Sequence, residues 1–365
     1  MYSFVNIMEG MKKQKMSKKA YKGETLRGRK KKRIRKILNV LLFFCIMLVV
    51  FFSLCVWYVY SKLSKVNYVK LENIEVNEGI VEQLKGYRNV VLFGVDARAN
   101  TYDGTRSDCI IIVSINQDTN DVKLTSIYRD TYVFIDGYGY DKITHAYAYG
   151  GPQLAINTIN KNFDLNITEF VAVNFDAVID IVDAVGGLDI DVKSDEIANM
   201  NECISMIDND LGYGYTPRIK HTGLQNLSGK QTLAYSRIRY TEGGDYKRSE
   251  RMRSVLSIGY AKIKKLNASK LNNLVDILLP KVYTNISTSE IMSLLPTATK
   301  YNVILSIGWP YEVQGITLDK WYAVPVTLED NVERLHKELF DTEDYEVSNK
   351  VKECSEGICK RTGYR

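Results

Sequence analysis

The sequence is poor in histidine and proline, and this scarcity excludes several classes of protein. Only three of its 365 residues are histidines and only six are prolines. The histidines (His145, His221 and His336) do not form the HExxH pattern of zinc proteases. No GxSxG nucleophile elbow is present, so nothing indicates a Ser-His-Asp hydrolase. The low proline content also excludes collagen and proline-rich linkers.

The six cysteines lack any CxxC spacing, which excludes the common zinc and dithiol motifs. Cys45 and Cys55 lie in a long apolar run and are expected to behave as small apolar residues. Cys354 and Cys359 enclose four residues near the C-terminus. A small disulfide-closed loop and two free thiols on a tail are both open for this pair.

The body of the chain has no excess of positive charge. Residues 1–36 carry 14 basic and two acidic residues, whereas the other residues carry 35 basic and 41 acidic ones. A nucleic-acid-binding domain concentrates its positive charge on the folded body, so we predict no nucleic-acid partner.

One apolar run explains the basic N-terminus. Residues 37–60 contain no charge and end in the aromatic residues Trp57, Tyr58 and Tyr60. As a helix, 24 residues extend about 36 Å, which exceeds the roughly 30 Å of a bilayer core. Positive charge stays on the cytoplasmic side of a membrane. The sequence therefore predicts a basic cytoplasmic tail (1–36), one transmembrane helix (37–60) and a body outside the cell membrane, a single-pass type II topology.

Strand-like and helix-like segments alternate in the body, which predicts a layered α/β domain. Short apolar, β-branched runs predict strands at 90–95, 109–115, 122–127, 131–135, 168–174, 188–192, 303–307 and 321–324. Helices are expected at 152–162, 176–185, 245–266, 270–279, 287–299 and 328–340. The polar stretch 194–224 is expected to be a surface excursion without a core role.

Aspartates and arginines stand at the ends of the apolar runs. Asp96 directly follows one predicted strand, and ligand sites in α/β sheets lie at such ends. Arg106 and Asp108 precede the next strand, and Arg129 interrupts two strand-like runs. Arg237 and Arg239 flank Ile238 and would share one face of an extended segment.

The long helix at 245–266 adds two inward charges. Its apolar stripe, at three- and four-residue steps, continues toward the N-terminus through Arg248 and Asp245. Arg251 and Arg253 lie off this stripe and are expected to be solvated. Inward charges are costly unless paired or liganded, and a purely structural Asp245–Arg248 pair is an equal alternative to a binding role.

Together these residues predict a magnesium-assisted phosphate or pyrophosphate site. Arginine suits two-point phosphate binding, and aspartates are oxygen ligands that Mg²⁺ prefers. Outside the cell ATP is scarce, so a lipid-linked pyrophosphate is the expected class of substrate.

Several motifs, taken in order, resemble those of the LytR-CpsA-Psr (LCP) family. They are NVVLFGVDAR, RSDCIIIVSIN, SIYRDTYV, DKITHAYAYGG, VNFDAVIDIVDAVGGLDIDV, LSGKQTLAYSRIRY and GDYKRSERM. The resemblance covers residues 89–266. The resemblance implies a layered α-β-α domain with a central mixed sheet. We therefore divide the outer chain into a juxtamembrane stem (61–87), an LCP catalytic domain (88–345) and a C-terminal tail (346–365).

The resemblance also implies an activity and the roles of residues. Family members transfer an anionic glycopolymer from a polyprenyl-pyrophosphate carrier to peptidoglycan at the surface of Gram-positive bacteria, and membrane lipid is a further partner. Asp96 and Asp108 match the Mg²⁺ ligands. Arg129 is the expected catalytic residue, and Asp245 a possible proton acceptor. The pyrophosphate-binding arginines are Arg106, Arg129, Arg237, Arg239 and Arg248.

Two other functions remain open at this point. One is a hydrolase that releases the glycan from its pyrophosphate carrier with water as the acceptor. The other is a non-enzymatic envelope regulator or sensor, in which the arginines bind a ligand without turnover.

Overall fold

The structure, a computed structural model, describes residues 10–17, 43, 46–53, 66–96, 102, 104–212, 214–294, 297 and 299–364. The chain divides into two compact units, Met1–Ser64 and Lys65–Arg365. In the first unit, residues 10–17 and 46–53 are helical and exposed. Most of the predicted membrane span (37–60) lies outside the described residues. Within the described ranges, no helix is both long enough and apolar enough to cross a membrane.

The second unit alternates strands and helices along the chain. Its strands are β1 (Asn67–Tyr68), β2 (Tyr87–Val95), β3 (Ser107–Asn116), β4 (Asp121–Ile127), β5 (Tyr132–Ile135), β6 (Gly139–Lys142), β7 (Glu169–Val173), β8 (Leu188–Val192), β9 (Gly223–Leu227), β10 (Val282–Thr284), β11 (Asn302–Trp309), β12 (Val313–Thr317) and β13 (Trp321–Pro325). Its helices are α1 (Ile80–Gln83), α2 (Ile143–Phe163), α3 (Phe175–Ala184), α4 (Ser194–Leu211), α5 (Gly229–Arg237), α6 (Gly244–Ile263), α7 (Ala268–Leu278), α8 (Thr288–Leu294), α9 (Leu328–Phe340) and α10 (Asn349–Thr362).

Seven strands form the main sheet, in the order β1-β10-β7-β2-β3-β4-β11. The pairs β2–β3, β3–β4 and β7–β10 are antiparallel, whereas β2–β7, β4–β11 and β1–β10 are parallel. The sheet is therefore mixed, and the predicted α/β class with a central mixed sheet is confirmed. Three two-stranded sheets, β5–β6, β8–β9 and β12–β13, lie outside it.

The alternation of side chains along β3 builds a core on each face of the sheet. Ile110 and Ile112 point into the larger cluster, which also contains residues of α2, α9 and α10. Ile111 points to the opposite face, where Leu256 of α6 packs. Successive strand residues face opposite sides, so an unbroken apolar run is what a strand covered on both faces requires. Burying each such side chain contributes about 1.5–3 kcal/mol.

The folded body extends beyond both predicted boundaries. Within the predicted stem, Ile80 and Leu84 are 2% and 1% exposed and belong to the main core. Within the predicted tail, helix α10 buries Val351 and Ile358 in that same core. The burial of apolar side chains at both ends makes these segments part of the domain.

The stretch 194–224 was wrongly predicted as a surface excursion. Residues Ser194–Leu211 form helix α4, which buries Met200, Ile204 and Ile207 at helical spacing. These residues pack in the second hydrophobic cluster with side chains of α3 and α5. The polar residues among them, such as Asn201 and Ser205, are only half-buried, and their number obscured a short apolar stripe.

The four described cysteines are free thiols. Of the two alternatives for Cys354 and Cys359, the structure therefore has the free thiols. Both residues lie on helix α10 and not on an unstructured tail, and Cys354 is buried.

Candidate functional site

A cavity of about 540 Å³ brings most of the predicted site residues together. Its wall includes Asp96, Arg106, Asp108, Arg129, Arg237, Arg239 and Arg248. These residues come from β2, β3, the segment after β4, the end of α5 and α6. Five arginines from four stretches of chain therefore surround one space, which sequence spacing could suggest but not show.

A β-bulge aims Asp108 into this cavity. The pairing of β2 with β3 passes from Gly94–Cys109 directly to Val95–Ser107, so Asp108 has no residue opposite it. The backbone N–H of Asp96 then donates to the carbonyl of Arg106 at 3.3 Å, which places Asp96 beside the same strand end. Bulges bend a strand and redirect a side chain, and they are frequent beside active sites.

Arg129 lies directly opposite the bulge. Its Nη1 donates to Oδ1 of Asp108 at 2.6 Å, and its side chain is 15% exposed. The segment is fixed by its backbone, because the carbonyl of Arg129 accepts from the N–H of Thr144 at the start of α2. The Nε of Arg129 is buried and donates no hydrogen bond to a described residue. This Nε lies 3.6 Å from Oδ1 of Asp130, an ion pair beyond hydrogen-bond distance, so it keeps a donor for a bound anion.

Arg237 and Arg239 approach the cavity differently from the extended segment that we predicted. Arg237 is the last residue of α5, and the chain becomes extended only at the buried Ile238. The guanidinium of Arg237 lies 4.6 Å from the ring centre of Phe175, which also lines the cavity. Arg239 lies 3.6 Å from Asp108 and from Asp245. Both arginines line the cavity despite the helix.

Arg248 faces inward from α6, as its place on the apolar stripe predicted. It is 2% exposed, and its Nη2 donates to the carbonyl of Asp108 at 3.0 Å. Burial lowers the pKa of Arg248, and the neighbouring Asp245 opposes that shift. Asp245 forms the predicted ion pair with Arg248 at 3.3 Å, but it is not among the residues that line the cavity. Arg248 is thus both an ion-pair partner and a wall residue.

Arg251 and Arg253 were wrongly predicted to be solvated. They are 3% and 6% exposed. Arg251 donates to Glu196 of α4 at 2.8 Å and to the carbonyl of Ile238 at 3.2 Å. Their partners come from elements far away in sequence, so the periodicity of α6 alone could not reveal their burial.

Helix α4 supplies wall residues that the sequence analysis missed. Asn199, Glu202, Cys203 and Met206 line the cavity at steps of three, one and three residues, which is one face of a helix. The exposed Tyr240 follows Arg239 on the same wall. In the sequence, the only signal for these wall residues was their helical spacing. We had assigned this stretch to the surface because its composition is polar.

The described wall carries five guanidinium groups against three carboxylates, those of Asp96, Asp108 and Glu202. Among the described residues, neither Arg106 nor Arg237 forms an ion pair within 4.0 Å. The cavity is therefore positive overall and suited to an anion with more than one charge. Guanidinium groups bind phosphoryl oxygens in pairs of parallel hydrogen bonds.

The two aspartates at the bulge fit a magnesium ion. The Oδ1 of Asp108 accepts from Arg129, whereas among the described residues its Oδ2 has only the longer, 3.6 Å contact to Arg239. Asp96 is exposed on the same wall. No cluster of three or more metal-binding side chains occurs in the described part of the chain. Mg²⁺ commonly uses one or two carboxylates and completes its shell with phosphate oxygens and water.

Comparison with known proteins identifies the family of the chain. Residues 54–339 match the LytR_cpsA_psr family. The chain is 31% identical over 303 residues to the polyisoprenyl-teichoic acid--peptidoglycan teichoic acid transferase TagT of Bacillus subtilis (strain 168), covering 80% of this chain and 91% of that protein.

Two solved structures share the fold. TagT bound to LI-WTA aligns with a TM-score of 0.56 at 27% identity, covering 76% of this chain and 95% of that chain. The LytR-CPS2A-psr family protein YwtF (TagT) with bound octaprenyl pyrophosphate lipid aligns with a TM-score of 0.52 at 26% identity, covering 76% and 96%. The motifs, the fold and a family match over most of the chain agree, and the protein belongs to the LytR_cpsA_psr family.

Proposed function

We propose that this protein transfers an anionic glycopolymer, such as teichoic acid or capsule, from a polyprenyl-pyrophosphate carrier to peptidoglycan. The observation that carries the proposal is the convergence of five arginines and two aspartates on one cavity. A relative of the same family is a teichoic acid transferase, and another structure of that family holds octaprenyl pyrophosphate. The positive wall and the bound lipid of the relative support the same class of substrate.

The arginines bind the pyrophosphate from several sides. Arg106 and Arg237, which have no ion pair among the described residues, are the most available for phosphoryl oxygens. Arg129, Arg239 and Arg248 are held by Asp108 and Asp245 and so approach the substrate in fixed orientations. Groups that are already oriented require little reorganisation when charge develops in the transition state.

Asp96 and Asp108 would hold Mg²⁺ at the mouth of the bulge. When bound, the ion would neutralise charge on the phosphoryl oxygens. The contact between Arg129 and Oδ1 leaves Oδ2 of Asp108 turned toward other partners. The pair Arg129–Asp108 therefore links the arginine cluster to the proposed metal ligands.

The reaction is an in-line displacement at the sugar-linked phosphorus. The oxygen of a peptidoglycan hydroxyl forms the new P–O bond. The bond from this phosphorus to the bridging oxygen breaks, and polyprenyl phosphate leaves with the electron pair. Arg129 donates to the phosphoryl oxygens, on which the charge is spread in the transition state. The product is a phosphodiester, and the proton of the hydroxyl passes to a carboxylate or to water.

Two carboxylates compete for the role of proton acceptor. Asp245 has two guanidinium groups near its Oδ1 and does not line the cavity, which favours a positioning role. Glu202 lies on the wall and is exposed. We assign the proton to Glu202 and the orientation of Arg239 and Arg248 to Asp245. If this is right, Glu202→Gln should lower kcat with little change in pyrophosphate binding, whereas Asp245→Asn should weaken pyrophosphate binding.

The apolar part of the cavity wall can contact the first isoprene units of the prenyl chain. Phe175, Met206 and Met252 line the cavity next to the arginines. Within the apolar stretch 170–185, Phe175 lines the cavity, whereas Phe170 and Ile179 belong to the packed cores. A lipid-linked substrate also fits the orientation that we propose, with the body at the outer face of the cell membrane. Protease added to intact protoplasts should digest the body and spare an N-terminal tag if the proposed orientation is right.

One assay separates transfer from the alternatives. The full chain is incubated in detergent with a polyprenyl-pyrophosphate glycan, with and without peptidoglycan. Transfer predicts glycan joined to peptidoglycan and polyprenyl phosphate in equal amounts. Equal release of polyprenyl phosphate without peptidoglycan would indicate the hydrolase, and binding without any turnover would indicate the sensor.

A further inference from the structure

Two exposed tyrosines form a stacked pair on the surface. Tyr138 and Tyr149 are 54% and 40% exposed, and their ring centres are 4.3 Å apart at an angle of 11°. Large aromatic side chains exposed side by side are unusual on a soluble surface unless they bind something. We name this pair the tyrosine ledge.

Backbone geometry fixes both rings. Tyr138 sits in the turn between β5 and β6, flanked by Gly137 and Gly139 with φ of 78° and 79°. Tyr149 ends the first part of α2, because Gly150 and Gly151 break the helix there and Gly151 has a φ of 63°. Only glycine adopts such angles without strain. The ledge is therefore built where two backbone interruptions meet.

The buried carboxylate of Asp141 orients one ring of the ledge, that of Tyr149. The hydroxyl of Tyr149 donates to Oδ2 of Asp141 at 2.7 Å, and Nδ1 of His145 lies 2.8 Å from the same oxygen. The hydrogen bond to Asp141 and burial raise the pKa of Tyr149 to about 12, and the charge of Arg106 opposes the shift. Tyr149 is thus neutral, oriented and within electrostatic range of a cavity arginine.

Short contacts connect the ledge to the transfer site. The first turn of α2 touches the segments that carry the site: the N–H of Thr144 donates to the carbonyl of Arg129, and its hydroxyl donates to the carbonyl of Ser107 at 2.9 Å. Lys142, next to Asp141, lies 2.8 Å from Asp130, the neighbour of Arg129. Hydrogen bonds and an ion pair thus join the first turn of α2, which precedes Tyr149, to the segment that carries Arg129.

We propose that the tyrosine ledge binds the acceptor, a glycan strand of peptidoglycan, and presents its hydroxyl to the cavity. This inference rests on the proposed function and names where its second substrate lies. The ring face of a hexosamine carries C–H bonds that pack on an aromatic ring, and its edges carry polar groups that stay in water. An exposed, polar-edged ledge suits such a strand, whereas a prenyl chain needs an enclosed apolar channel.

The test measures acceptor binding without any turnover. The full chain in detergent is titrated with a tetrasaccharide of alternating N-acetylglucosamine and N-acetylmuramic acid, and separately with octaprenyl pyrophosphate. Tyr138→Ala removes one ring, Tyr138→Phe keeps it, and Tyr149→Phe keeps the ring but loses the bond to Asp141. Tyr68→Ala is the matched control, because Tyr68 is 55% exposed on β1.

Tyr138→Ala should weaken tetrasaccharide binding about tenfold, which corresponds to about 1.4 kcal/mol. The Tyr138→Phe and Tyr68→Ala variants should bind as the wild type does, and all variants should bind octaprenyl pyrophosphate equally. In transfer assays Tyr138→Ala should raise KM for the acceptor and leave kcat unchanged. Wild-type affinity of Tyr138→Ala, an equal loss in Tyr68→Ala, or no tetrasaccharide binding by the wild type would overturn the ledge. Normal lipid binding and transfer in those cases would leave the proposed function standing.

Discussion

The replacement of Arg129 by lysine separates the geometry of the site from its charge. Arg129→Lys keeps one positive charge beside Asp108, so the cavity stays positive and the ion pair at the bulge can still form. What disappears is the planar fork that donates two parallel hydrogen bonds, which a single ammonium cannot reproduce. The variant should therefore bind the lipid pyrophosphate almost normally but stabilise the transition state poorly.

The expected loss can be estimated from the removal of one oriented donor. Such a change typically lowers kcat about 10²–10³-fold, or about 2.7–4 kcal/mol. The fold should tolerate it, because the backbone of Arg129 is held independently by Thr144. A stability change below 1 kcal/mol would shift the melting temperature by less than about 3 °C.

Arg88→Lys provides the control. Arg88 pairs with Glu169 and Glu290 and is 21% exposed, close to the 15% of Arg129. It lies eight residues before Asp96 along β2, about 26 Å away. The assay is polymer ligation by the full chain at saturating donor, together with thermal melting. The reasoning fails if Arg129→Lys ligates at the wild-type rate, if Arg88→Lys loses as much activity, or if a large fall in melting temperature accounts for the loss.

Three further predictions test other parts of the structure. Arg251→Ala should lower the free energy of unfolding, measured with urea, by about 3–5 kcal/mol, because it leaves the buried carboxylate of Glu196 without its ion-pair partner. Adding Glu196→Ala should recover part of this loss. Asp108→Asn should lower kcat at least about tenfold and raise the Mg²⁺ concentration needed for half-maximal rate, without a change in circular dichroism; an unaltered Mg²⁺ requirement with full activity would reject Asp108 as a ligand. Burial lowers the pKa of His336 from 6.5 to about 4. Between these pH values the unfolded chain therefore binds a proton at His336 that the native state does not bind. The free energy of unfolding should then fall by up to about 3 kcal/mol as the pH drops from 6.5 to 4, a loss that His336→Gln should lack in melts at several pH values.

Local patterns predicted the central strands well. The runs at 90–95, 109–115 and 122–127 became β2, β3 and β4, because strands buried on both faces need uninterrupted apolar sequence. The inward position of Arg248 also followed from the period of its helix. These features depend on neighbours within one element, and the sequence contains that information.

Features that depend on distant partners escaped prediction. Arg251 is buried because Glu196, 55 residues earlier, meets it across two helices. Helix α4 was missed because its buried residues are spaced among polar ones, and Glu202 was missed with it. The bulge at Asp108 depends on how two strands pair, which neither strand sequence encodes alone.

The unpaired Asp108 shows that a fully regular β2–β3 pairing and the proposed site exclude each other in this sheet. A strand one residue shorter at this point would pair without interruption, and its ladder would continue smoothly into Arg106. Ser107 would stay opposite Val95, so Arg106 would keep its face, but the carboxylate that accepts from Arg129 and the carbonyl that accepts from Arg248 would be lost. A more orderly sheet would thus have no reaction centre, so shortening this strand is a way to obtain a folded but inert protein for studies of binding partners.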